Sequence, residues 1–289
     1  MKIISTLLFA SALFFLSACV KEDKDCGIPA GSGLIEIRTD WSNRSPEVGI
    51  PETLRVLLEH GGASEPQLFT IIGSPAYLPF QKTGLYRMYL YNDADFVTVE
   101  GTLATVESSS RSLRANPVIE ANPGWFFTAS ADVTVPEQDT VIVVARMEQQ
   151  IRKLTFTFHL VDEGPLQLAR LAASLDGIAG SFDLATGELG NISSAYSLFD
   201  RQGEEETAVF HLLGIIPGVP QALTLLLTYS DNSTKTLIVD ISDKLEGFND
   251  NKETPMEWEA DLSVDTEAEF SGSIVNWVNK TEDISISNR

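Results

Sequence analysis

Ile151-Arg-Lys-Leu-Thr-Phe-Thr-Phe-His-Leu160 carries the cleanest alternation in the chain. Leu154, Phe156, Phe158 and Leu160 fall on one face, and Thr155, Thr157 and His159 on the other. A period of two describes a half-buried β-strand; a helix would scatter those rings around its axis. Immediately upstream, Glu148-Gln149-Gln150 is a polar hinge, preceded by a near-continuous β-branched run over residues 140–147. Two strands separated by a polar hinge mark the expected domain boundary, with one body over 34–149 and a second over 150–289.

Upstream of the hinge the same pattern recurs. Strands are expected over 34–41, 52–60, 68–72, 85–92, 96–100, 103–106 and 125–135. In 85–92, Tyr86, Met88 and Leu90 share one face, and Leu85, Arg87, Tyr89 and Tyr91 the other. The serine-rich stretch 108–117 reads as an exposed loop. Downstream, 166–175 can be drawn with either period; its length and the β context favour a strand passing into a short helical turn near 177–180. Further strands are expected over 182–184, 195–199, 208–216, 223–229, 234–241, 256–264 and 268–276. Glu204-Glu-Glu206 reads as a solvated turn, 243–255 as an acidic loop and 277–283 as a break. The chain closes on Ile284-Ser285-Ile286-Ser287, a short β-prone segment with both isoleucines on one face. More than a dozen strands and no long helix give an all-β fold. Two sandwiches of about seven strands each account for the count.

The N-terminus speaks about location. Residues 3–16 are apolar apart from Ser5, Thr6 and Ser11, and follow Lys2. The run is shorter than the roughly 17–25 residues that span a bilayer, so it reads as an export signal over residues 1–18. Leu16-Ser-Ala-Cys19 looks like the lipobox of bacterial lipoproteins, in which the cysteine is acylated and becomes the first mature residue. Several acyl chains on one cysteine give stable anchoring, each buried methylene contributing about 0.8 kcal/mol. Residues 19–33 then form a lipidated tether. Within it, Lys21, Glu22 and Asp23 resemble the signal that directs lipoproteins of Bacteroides-like bacteria to the outer face of the outer membrane.

Composition narrows the functions open to the chain. The net charge is −21 and 43% of residues are hydrophobic. So acidic a surface repels nucleic acid. Of two cysteines, acylation of Cys19 leaves Cys26 with no intrachain partner, and the three histidines lie singly with no zinc spacing. No phosphate-binding glycine loop, nucleophile elbow or His-Glu-x-x-His motif is present, and no acidic loop has the EF-hand pattern. No catalytic residue, metal ligand or cofactor is expected, and the chain reads as non-enzymatic. Tyr86, Tyr89, Tyr91, Trp41 and Trp125 have two readings: a glycan-stacking surface, or sandwich core and cross-strand pairing.

Several stretches in order resemble the minor fimbrial subunit and fimbrillin-anchor lipoproteins of Bacteroides- and Porphyromonas-like bacteria. They are Leu-Ser-Ala-Cys19 with its acidic tail, Thr39-Asp-Trp-Ser42, Gly84-Leu-Tyr-Arg-Met-Tyr-Leu-Tyr-Asn92, Pro123-Gly-Trp-Phe126, Met147-Glu-Gln-Gln-Ile-Arg152 and Leu175-Asp-Gly-Ile-Ala-Gly180. The resemblance implies two tandem transthyretin-like, Greek-key β-sandwiches and a surface-exposed anchor or accessory subunit of a fimbria or pilus. It also implies partner subunits joined by strand pairing or donation. The β-prone residues 284–287 are the candidate joining strand, or else close their own sheet. The rival reading is a glycan-binding lipoprotein of an outer-membrane uptake system.

Overall fold

The computed structural model describes residues 27–61, 65–113, 116–161, 167–263 and 273–281. Every regular element among them is a strand. The first half contributes β1 (Ser32–Asn43), β2 (Thr53–His60), β3 (Gln67–Ile72), β4 (Ala76–Tyr77), β5 (Gln81–Lys82) and β6 (Gly84–Tyr91). It continues with β7 (Val97–Glu100), β8 (Leu103–Val106), β9 (Ser109–Leu113), β10 (Asn116–Ile119), β11 (Phe127–Val135) and β12 (Thr140–Gln149). The second half contributes β13 (Arg152–Val161), β14 (Leu168–Asp183), β15 (Leu189–Leu198), β16 (Asp200–Gln202) and β17 (Glu205–Leu212). It ends with β18 (Ala222–Tyr229), β19 (Thr234–Asp240), β20 (Met256–Ser263) and β21 (Ser273–Asn279).

The first sheet runs β3-β2-β6-β11-β12-β1-β4, with β5 also on β1. It curls until β3 and β4 approach each other. Ile35, Ile37, Val56, Leu58, Met88, Leu90, Val133, Val135, Ala145 and Met147 fill the inside, every second residue of their strands. Val48 and Leu78, from loops, close the ends of this core. β1 lies parallel to β12, from Leu34 opposite Thr140 to Asp40 opposite Arg146.

A second sheet runs β19-β18-β14-β15-β10-β9, and β8 joins it on β14 with β7 outside. A third runs β16-β17-β13-β20-β21. The two close on one large core in which Phe156, Phe158 and Phe210 meet Leu171, Leu175, Leu223 and Leu225. β13 lies parallel to β20, repeating the way β1 lies along β12.

The chain halves and the sheets do not coincide. β8 pairs with β14 (Thr105 opposite Ser181), and β10 runs parallel to β15 (Val118 opposite Ser194). Residues 97–119 therefore leave the first half and complete a sheet of the second. The outer face of the first sheet adds Leu57, Tyr89 and Tyr91 to the large core, and Trp125 touches both cores.

Four local expectations are corrected. The serine-rich stretch is not a loop: it holds β9 and the start of β10, which pair with each other, and β10 pairs in turn with the distant β15. The helical turn near 177–180 is absent, since β14 continues to Asp183 with a bulge between Asp176 and Ile178. Gly177 takes φ +76° there, and at Gly180 a side chain would sit 2.8 Å from the Asn191 carbonyl oxygen. These glycines serve a bulge and a close backbone approach instead of ending the strand. Glu204-Glu-Glu206 is not wholly solvated: Glu206 is buried beside Arg201, 3.7 Å away. The break expected at Trp277 is inside β21, where the indole meets Phe156 and Phe158 edge-on at 6.1 and 5.9 Å.

Candidate functional site

Two parts of the molecule are able to take up a partner: its sheet edges and the seam between its cores. Among the described residues the third sheet ends in β16 on one side and β21 on the other. β16 is three exposed polar or charged residues, Asp200, Arg201 and Gln202, a composition that discourages pairing. β21 is longer and turns Ile274 and Trp277 inward, while Val275 and Val278 stay exposed. Its ladder to β20 shifts register between Glu259 and Asp261. Asn276 occupies the extra position at φ +56°, its Nδ2 donating to Asp261 Oδ2 at 2.6 Å. This bulge kinks the edge, and the outer backbone of β21 is the apolar edge of the sheet.

The seam is fastened by the residues of the hinge. Gln149 and Gln150 are buried. Gln149 Oε1 accepts from the Ser45 amide at 3.0 Å, and its Nε2 donates to the carbonyls of Ile151 and Lys252 at 2.8 and 2.9 Å. Gln150 Nε2 donates to Thr128 Oγ1, and Lys252 Nζ donates to Gln150 Oε1 at 3.0 Å. Arg152 donates to the carbonyls of Thr254 and Phe248 at 2.7 and 2.6 Å. The acidic loop 243–255 is thereby held against the joint, with Leu245 and Phe248 driven into the large core.

A cleft of about 400 Å³ opens beside this joint, lined in part by Gln150, Phe182, Gly187, Asn249 and Lys252. Burial lowers the Lys252 amine to about 8, against the pull of Glu148. The amide of Asn249 is already spent on both backbone groups of Ile215. On the other side of the seam, the Trp125 ring lies 4.5 Å from that of His211, whose Nδ1 is 3.1 Å from the Pro123 carbonyl oxygen. Burial lowers the His211 pKa, and Lys153 adds to the effect. Among the described residues no three His, Cys, Asp or Glu gather as metal ligands.

The aromatic residues named from the sequence do not form one surface. Tyr86 is buried in the first core, its hydroxyl donating to the Lys82 carbonyl at 3.0 Å. Tyr89 and Tyr91, on the opposite face of β6, are buried in the second. Trp41 is half-buried with its edge against Phe127 at 5.3 Å, and Trp125 sits between the cores. The stacking-surface reading is corrected for the three tyrosines: both faces of this strand are covered, so their rings offer no open face. The signal was legible, because a strand with aromatic or aliphatic residues on both faces is a strand buried on both. The seam glutamines carried no such signal. Cys19, Lys21, Glu22, Asp23 and the segment Ile284, Ser285, Ile286 and Ser287 lie outside the described residues.

Comparison with known proteins bears on this architecture. A candidate adhesin from Bacteroides ovatus has a TM-score of 0.64 at 16% identity, over 89% of this chain and 100% of that one. The fimbrial anchor protein Mfa2 from Porphyromonas gingivalis has a TM-score of 0.58 at 12% identity, over 86% and 98%. A Bacteroides thetaiotaomicron protein described as a candidate polysaccharide-binding protein has a TM-score of 0.61 at 9% identity, over 86% and 96%. These likenesses show a shared fold. No curated protein is similar to the chain in sequence at a significant level. The model of the fimbrillin-A associated anchor proteins Mfa1 and Mfa2 matches residues 84–283, a span that includes the seam. The chain belongs to the family of fimbrillin-A associated anchor proteins.

Proposed function

We propose that this protein is a non-enzymatic lipoprotein that anchors or accompanies a fimbria on the cell surface. The observation that carries the reading is the family match over residues 84–283, which supports a structural role in fimbriae and adhesion. In this reading residues 1–18 are the signal peptide and Cys19 carries the acyl chains. Lys21, Glu22 and Asp23 direct it to the outer face of the outer membrane. Residues 34–149 and 150–289 form two tandem transthyretin-like bodies, with strands from 97–119 of the first completing the second. Other subunits join by strand pairing, with the apolar edge at β21 as the joining side and residues 284–287 as the candidate joining strand. The burial of Tyr86, Tyr89 and Tyr91 speaks against the glycan-binding alternative.

The test is crosslinking of the intact protein in its own outer membrane, followed by mass spectrometry of what is captured. Fimbrial subunits crosslinked near residues 273–289 are expected. Capture of a transporter and glycan-processing proteins in their place overturns the reading.

A further inference from the structure

The first described residue, Gly27, follows Cys19 by eight positions. Eight residues reach at most about 26–29 Å when fully extended. Where the chain emerges from this tether therefore decides which end of the molecule lies close to the lipid.

The structure fixes that point. Gly31 donates its amide to Glu137 Oε1 at 3.1 Å, and its carbonyl accepts from the Thr83 amide and hydroxyl, each at 3.0 Å. Ser32 stands opposite Lys82 in the β1–β5 pair, and its carbonyl accepts from the Gln138 amide at 2.7 Å. The lead-in is thus bound to the rim where residues 82–84 meet the turn 136–139. The seam lies at the far end of β12, ten residues away, which is about 33 Å.

Two large apolar side chains stand open at the same rim. Phe80 is 51% exposed and Leu85 is 57% exposed, on either side of the exposed Lys82. Neither is required by the core, because Gln81 and Tyr86 beside them point inward. We infer that this rim rests on the lipid headgroup layer, with Phe80 and Leu85 entering it and Lys82 reaching for the headgroups. The inference deepens the proposed function and rests on acylation of Cys19. A contact of two side chains is weak in free solution. A short tether raises its effective concentration to the millimolar range, where weak contacts persist. Aromatic and aliphatic side chains flanked by lysine suit the interface, the lysine stem lying along the apolar boundary. Glu137 and Asp139 are exposed on the neighbouring turn, so a zwitterionic headgroup layer fits better than a strongly anionic one.

The experiment uses the acylated chain with Cys26→Ser, inserted into phosphatidylethanolamine–phosphatidylcholine vesicles. A nitroxide is placed by Phe80→Cys, Leu85→Cys or, leaving both apolar residues in place, Lys82→Cys. Ile238→Cys, on β19 in the second half, is the control. The ratio of oxygen to nickel-chelate accessibility is expected to rise about threefold or more at the three rim positions on vesicles, and to stay constant at 238. Unchanged ratios at the rim, with Cys19 shown by mass spectrometry to be acylated, overturn the rim contact and leave the anchor reading standing. An unacylated Cys19 overturns both.

Discussion

The two cores of this molecule are supplied in different ways. The smaller one is enclosed by a single curled sheet, and all its buried residues come from residues 35–147. The larger one lies between two sheets and borrows Leu57, Tyr89, Tyr91, Ala104, Val106, Ile119 and Phe126 from the first half. The asymmetry teaches that the cooperative unit is not the chain half. Residues 97–126 are synthesised with the first body and stabilise the second.

The strongest way to break that comparison is to cut the chain. Residues 150–289 alone lose β7, β8, β9 and β10, together with Ala104, Val106, Ile119 and Phe126 of the large core, and are expected to be unfolded by circular dichroism. A cooperative thermal transition in that fragment would show that the borrowed strands are dispensable. A narrower test removes one ring. Phe156 is fully buried against Phe158, Phe210 and Trp277. Phe156→Ala should cost about 3–5 kcal/mol in urea unfolding. The smaller core, probed by Met88→Ala, should lose about 2–5 kcal/mol. One shared transition in both variants would tie the cores together, and two separate transitions would part them.

The seam offers a smaller effect. Arg152→Met leaves the Phe248 and Thr254 carbonyls without their charged donor and should cost about 2–3 kcal/mol. Hydrogen exchange should rise first in the loop 243–255. Smallest is the pH response of Lys252. Its folded pKa of about 8 lies below its ordinary 10.5. Below pH 8 the charged amine is present in both states, and the folded state carries the desolvation cost. From about pH 8 to 10.5 the folded chain has lost this proton while the unfolded chain keeps it, so stability rises with pH. Relative to Lys252→Met, the gain between pH 8 and 10 should be about 1 kcal/mol, reduced by the amine's partial exposure.

Legibility followed the range of the interactions. β13 could be read from Leu154, Phe156 and Phe158 because its alternation reports burial on one side of one strand. β6 was read equally well as a strand, but the destination of Tyr89 and Tyr91 depends on a core built mostly of residues beyond 150. β9 and the start of β10 read as a loop because serine and arginine carry little β signal. What holds β10 is the parallel pairing of Val118 and Ile119 with Ser194 and Ala195. Gly177 and Gly180 looked like turn residues, since glycine in a bulge and glycine in a turn are the same letter. At the candidate site, the hinge glutamines were legible as polar and not as buried. Nothing local distinguishes a solvated glutamine from one that bridges two bodies.

The parallel strand pairs described above have a mechanical meaning. A fibre held at one end to a membrane transmits tension through its anchor. Pulling on the start of β1 and on the end of β12 draws parallel neighbours in opposite directions along their length. The ladder is then loaded in shear, every bond resisting at once, whereas an antiparallel hairpin pulled at its open end parts one bond at a time. β13 and β20 repeat the arrangement in the second half, so a pull applied across both halves would load two such ladders in series. Lifetime under tension is set by the rate of unfolding, and such clamps raise resistance to force without adding a single contact.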